Sequence, residues 1–113
     1  MTQKKITFYF SSTDKYGKKP LYYALLELAK ENNIQGGTVI HGIAGYGKAS
    51  KIRTRTLFEI EEKIPIFVEF IDKEEVILNF FEKVKTLLNS VNKGILVTIE
   101  GVDVLHYQLP QGK

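Results

Sequence analysis

The chain has 113 residues, 43% of them hydrophobic and 26% charged, with a formal net charge of +3, one methionine and no cysteine. A chain of this length can bury roughly two-thirds of the surface its unfolded form exposes, so one domain is expected over residues 1–113, with a core at about 5–107. Disulfide scaffolds and thiolate metal sites are excluded, no run approaches the ~18 apolar residues of a membrane span, and the apolar part of MTQKKITFYFSS is shorter than the ~7–15 residues of a signal-peptide core, so a cytoplasmic chain is expected.

Ile6, Phe8 and Phe10 alternate with Thr7, Tyr9 and Ser11, the period of two of a first strand. Asp14, Gly17 and Pro20 mark a loop, with Pro20 suited to a helix start. Leu21, Leu25 and Leu28, flanked by Tyr22, Leu26 and Ala29, predict an amphipathic helix ended by Asn32, Asn33 and Gly36. A second strand is expected from Gly37 to Ala44 and a third from Ile64 to Ile71. Asp72-Lys73-Glu74-Glu75 has the form of a capping box, and Ile77, Phe81, Val84, Leu88 and Val91 repeat as the stripe of a second helix. After the turn at Asn92 to Gly94, a fourth strand is predicted over Ile95 to Ile99, a short fifth beyond Gly101 from Val102 to Tyr107, and a frayed tail from Gln108.

Strand, helix, strand, strand, helix, strand is the order of an α+β, ferredoxin-like βαββαβ sandwich, an antiparallel sheet with both helices on one face. If Ile66, Val68 and Phe70 face the helices, then Phe67, Glu69 and Ile71 lie on the bare face, joined by Tyr9 and Leu96. An apolar patch of that kind is one that monomers avoid, and self-association is the expected cover.

The positive charge is concentrated. No acidic residue occurs between Asn32 and Phe58, whereas Lys48, Lys51, Arg53 and Arg55 fall within eight positions, and without those four the chain carries twelve basic and thirteen acidic residues. Gly36, Gly37, Gly42, Gly45 and Gly47 put five of the nine glycines just ahead of them, in a stretch where backbone can approach a ligand closely. Together they point to an anionic partner.

Two familiar motifs overlap this segment and fail. Gly42 to Lys48 satisfies the first seven positions of a P-loop, but Ala49 stands where a magnesium-binding Ser or Thr is needed, with Ser50 one place late. Gly45-Tyr46-Gly47 overlaps the RNA-recognition signature, but Lys48 occupies the position of a stacking aromatic. A small RNA-binding module of that fold is the alternative from another class. No enzyme is expected: there is no cysteine nucleophile, His41 and His106 sit in predicted strands without Ser-His-Asp or metal-ligand spacing, and Glu69 reads as a carboxylate that meets a Lys or Arg across an interface. Glu59, Glu61 and Glu62 read as a solvated turn.

Pro20-Leu21-Tyr22, the T-V-x-x-G-I-x-G-Y-G run from Thr38 to Gly47, Ile64-Pro65 and Ile71-Asp72 together resemble the PII-like domain family of unknown function, a relative of the PII signalling proteins. The resemblance spans roughly Ile6 to Tyr107. It implies a homotrimer with ligand clefts between subunits, an adenine nucleotide or other small anion as effector, and a loop after the second strand that docks on a transporter or enzyme. Carried over residue by residue, ligand contacts fall on Gly45, Tyr46, Gly47, Lys48, Arg53, Lys93 and Gly94, and partner contacts on Lys48, Lys51, Arg53 and Arg55. The turn Val91 to Gly94 lacks the family's G-D-G-K type run, and His41 and Arg53 also depart from the pattern.

Overall fold

Alternation along the first strand decides which face of the sheet is covered. In β1 (Thr2–Ser11), Ile6, Phe8 and Phe10 are buried while Tyr9 is exposed, as expected of a strand with one face packed. The computed structural model describes residues 2–47, 51–54 and 64–111. After β1, β2 (Lys15–Tyr16) and β3 (Lys19–Pro20) form a small hairpin that turns at Gly17, whose φ of 63° suits glycine. Asp14 anchors it: the buried carboxylate accepts the Ser11 amide at 3.1 Å, and its carbonyl accepts the Leu21 amide at 2.8 Å.

Helix α1 (Leu21–Glu31) follows directly on Pro20 and buries Leu21, Ala24, Leu25 and Ala29. Asn33, at φ 60°, takes the left-handed position that closes the helix. Next come β4 (Gly37–His41), β5 (Ala44–Gly45), β6 (Arg53–Thr54), β7 (Pro65–Asp72), α2 (Glu74–Leu88) and β8 (Leu96–Asp103). The main sheet has the order β4-β7-β1-β8 with every pair antiparallel, the ferredoxin-like arrangement expected from the element order.

Several boundaries differ from expectation. The second strand breaks at Gly42, whose amide leaves the ladder to reach the Pro65 carbonyl at 2.8 Å. The fourth and fifth strands are one, because β1 is long enough to pair with β8 from Leu96 to Asp103 and Gly101 sits in register opposite Lys4. His106 therefore lies beyond the last strand. The capping box does not form: Lys73 is the N-cap, without a side-chain bond. Asp72 instead accepts the Lys73 amide at 2.8 Å and the Gln35 amide at 3.1 Å, tying the entrance of β4 to the end of β7. The α2 stripe is rotated toward Phe80 and Leu87, which are buried, while Phe81 and Leu88 are only partly so.

Between sheet and helices, Phe8, Phe70 and Phe80 meet edge to face with ring centroids 5.2–6.2 Å apart. Among the described residues no helix packs on the opposite face, and Val104 and Tyr107 approach it beside Thr38, Glu69 and Ile71. Across it runs a row, Ile40–Phe67–Tyr9–Leu96, in which Tyr9 and Phe67 stack at 5.6 Å and Tyr9 and Leu96 are 40% and 59% exposed. Beside the row, Lys5 lies 3.8 Å from Glu69 and 3.6 Å from Glu100. Glu69 thus has a cation on a neighbouring strand of its own chain.

Candidate ligand site at the loop end of the sheet

The glycine-rich segment begins by folding over a proline. A Cβ at Gly42 or at Gly45 would lie 3.0 Å from the Pro65 ring, closer than ordinary van der Waals contact, so a larger residue at either position needs the ring to give by a few tenths of an ångström. Beyond it, Ala44 pairs with Thr54 and Gly45 with Arg53. This two-rung ladder makes a neck, with Arg53 directly across from Gly45.

The neck is open to solvent and carries mixed chemistry. Tyr46 is 75% exposed, and Ile43 and Ile52 comparably so, next to exposed Lys51 and Arg53. Clustered apolar and cationic groups of this kind suit an amphipathic or anionic contact better than water. Ile43 and Ile52 were not singled out in the sequence, and the only signal for them is their place beside the glycines in a segment without acids. Gly47 is exposed at the edge of this group. Lys48 and Arg55 lie outside the described residues, as do Ala49, Ser50, Glu59, Glu61 and Glu62.

Lys93 and Gly94 sit in the exposed turn between α2 and β8. That turn is at the same end of the sheet as the neck, because β4 ends where β8 begins. It is at the opposite edge, since β7 and β1 intervene. Three strand spacings of about 4.8 Å put roughly 14 Å between the edges. One chain therefore does not bring the two halves of the expected site together.

His41 ends β4 in an exposed position, and the His106 ring shares a hydrogen bond of 2.9 Å with the Gln108 side chain. Among the described residues no group of three or more His, Cys, Asp or Glu side chains could hold a metal ion. No helix among them is long and apolar enough to cross a membrane.

Residues 3–104 match the DUF190 family, described as uncharacterized ACR. A UPF0166 protein of Aquifex aeolicus is 41% identical over 107 residues, covering 94% of this chain and 97% of the relative. Among solved structures, a PII-like signalling protein from Thermus thermophilus superposes with a TM-score of 0.63 at 20% identity, over 90% of this chain and 88% of that one. The nitrogen regulatory PII-like protein CPII from Thiomonas intermedia, solved with ADP, AMP and bicarbonate, gives 0.61 at 16% identity, over 90% and 89%. At such identities the likeness concerns the fold. The family match covers nearly the whole chain, and the element order, the sheet order and these superpositions agree: the chain belongs to the DUF190 family and has the PII-like form of the ferredoxin-like fold.

Proposed function

We propose that this chain is a PII-like regulator that assembles as a homotrimer, holds an adenine nucleotide or another small anion between copies, and passes occupancy to a partner protein through the loop after β4. The observation that carries this reading is the division of the candidate site. Gly45, Tyr46, Gly47 and Arg53 stand at one edge of the sheet and Lys93 and Gly94 at the other. A second copy, edge to edge, joins the two halves into one cleft. The uncovered row Ile40–Phe67–Tyr9–Leu96 supplies apolar surface for the association. Nucleotides in the related fold of CPII are in keeping with such a cleft. Ligand-dependent ordering of the loop would turn binding into partner choice, with a transporter or an enzyme as the kind of target the family resemblance implies.

Titration calorimetry with ATP, ADP, AMP, cyclic AMP and citrate tests the ligand. At least one is expected to bind, and Arg53→Ala to weaken it by about ten- to a hundredfold, the cost of a charge-assisted hydrogen bond of about 1.5–3 kcal/mol. Absence of heat with all five, on assembled protein, ends the nucleotide reading and the citrate one with it.

One observation favours RNA binding as a second reading: Tyr9 and Phe67 lie on the two central strands of the open face, where ferredoxin-like RNA binders place stacking aromatics. Lys5 on that face is matched by two carboxylates, Glu69 and Glu100, leaving the group negative and poorly suited to phosphates. Gel shifts with single strands at two salt concentrations separate the readings, because RNA binding requires a steep loss of affinity at the higher salt.

A further inference from the structure

Two separate pieces of chain leave the sheet side by side. The root of the β2–β3 hairpin is tied to the entrance of β7: the Ser12 amide donates to the Ile64 carbonyl at 2.9 Å, and the Ser12 hydroxyl accepts the Ile64 amide at 3.2 Å. The neck is tied to the next residue, because the Gly42 amide donates to the Pro65 carbonyl and both Gly42 and Gly45 pass the Pro65 ring. Hairpin and neck therefore rise from consecutive residues at one end of the sheet. They follow β1 and β4, which flank β7, so two strand spacings of about 4.8 Å put their roots roughly 10 Å apart. The hairpin has no part in the candidate ligand site.

Both pieces present cations. Lys15 and Lys18 are exposed on the hairpin, and Lys51 and Arg53 on the neck. A third hairpin lysine, Lys19, is already matched by Glu27 at 2.6 Å. Asp14, the one acid among the described residues of the hairpin and the neck, is buried and accepts the Ser11 amide. By sequence, residues 48–50 and 55–63 carry three basic and three acidic side chains and leave this balance unchanged. At the other end of the sheet Asp72, Glu74, Glu75 and Asp103 outnumber Lys4 and Lys73. Among the cations of the neck stand three large apolar side chains, Ile43, Tyr46 and Ile52, each more than 70% exposed.

We propose that this end of the molecule docks on an anionic lipid surface, the cations of hairpin and neck meeting headgroup phosphates while the three apolar side chains of the neck enter the boundary beneath them. The proposal goes beyond the regulator reading and needs no bound nucleotide. Charge complementarity and the mixture of groups choose the occupant. The core of a protein interface is depleted of charged residues, lysine among them, whereas here lysines and an arginine stand between isolated apolar side chains. A nucleic acid would satisfy the cations and leave two isoleucines with nothing to gain. An anionic bilayer offers phosphate at its surface and apolar depth within about 5–10 Å of it, and binding there grows with both charge and buried apolar area. Tyr46, a ring with a polar tip, suits the level of the headgroups.

Co-sedimentation without nucleotide tests the proposal, using vesicles of phosphatidylglycerol mixed with phosphatidylcholine and vesicles of phosphatidylcholine alone, with far-UV circular dichroism to verify folding. Wild type is expected to bind the mixed vesicles, to ignore the neutral ones, and to bind less as salt rises. Lys15→Gln/Lys18→Gln should weaken binding roughly thirtyfold, about fivefold for each lysine. Ile43→Ser/Ile52→Ser should weaken it by about tenfold or more, a loss that persists at high salt. Lys30→Gln/Lys73→Gln removes the same charge from exposed positions at the opposite end and should match wild type. Failure to bind the mixed vesicles overturns the proposal, whether or not RNA binds in the gel shifts. So does equal binding to neutral vesicles, and so does an equal loss in the two lysine variants, which would mean attraction by net charge alone. The vesicle assay contains no nucleotide and the calorimetry no lipid, so failure of one reading leaves the other standing.

Discussion

Replacing Phe8 with alanine is expected to cost about 3–5 kcal/mol of folding stability, the range for truncating a large buried aromatic. Phe8 is fully buried at the middle of β1, opposite Val68 on one side and Val97 on the other. Its ring stands edge-on to both Phe70 and Phe80, so truncation opens a cavity where sheet and α2 meet and removes two of the three aromatic contacts. Neither neighbour can collapse freely into the gap, because Phe70 and Phe80 hold each other at 5.2 Å. Against a total stability of about 5–15 kcal/mol for a domain of ordinary size, that loss is a large share. Urea denaturation checks it, with Tyr9→Ala as the contrast. One residue along the strand, Tyr9 lies on the open face, and its loss should alter association far more than folding. A Phe8→Ala protein within about 1 kcal/mol of wild type would refute this account of the core.

The contrast between Phe8 and Tyr9 also shows why the fold was readable. Alternation is strict along β7 and holds along the apolar part of β1 except at Thr7, which is buried, so one correct parity places most side chains of both strands, and Ile66, Val68 and Phe70 lie under the helices as expected. Local patterns were less informative where a tertiary partner decides. Gly101 looked like a strand break, yet it pairs with Lys4 because β1 extends back to Thr2. Asp72 looked like a cap, but the loop at Gln35 competes for its second oxygen. The α2 stripe was read from spacing alone, and the aromatic cluster pulled Phe80 inward in place of Phe81.

The candidate site was legible as a segment and not as a geometry. Charge and glycine content located the neck, and the departures from the P-loop and RNA-recognition signatures at Lys48 and Ala49 were visible in the sequence. That Gly42 and Gly45 both pass close to one proline ring was not visible, since Pro65 is twenty or more residues away and the ladder between β4 and β7 brings it there. Nor could spacing show that Lys93 and Arg53 occupy opposite edges of the sheet. Strand order decides that, and strand order is a property of pairing between distant residues.

Gly37 gives the second large effect, and there two rules compete. Valine is favoured in strands and glycine is not, and on propensity alone Gly37→Val would stabilise β4 by up to about 1 kcal/mol. The space forbids it. A Cβ at position 37 would lie 2.7 Å from Cδ1 of Phe70, closer still to Cε1, and 3.2 Å from the Leu26 side chain. Phe70 cannot yield, because its ring is buried and wedged between Phe8 and Phe80. Overpacking of this kind costs about 1–3 kcal/mol and should exceed the propensity gain, leaving Gly37→Val destabilised. Gly36→Val is the matched control: nothing lies within 4 Å of a Cβ there, so that variant should equal wild type or surpass it slightly. Equal urea midpoints for the two variants would mean that Phe70 has room to move. Because β4 leads into the neck at Gly45, the strain of Gly37→Val should also reach the candidate site, weakening ligand binding in a protein that still folds, whereas Gly36→Val should leave binding unchanged.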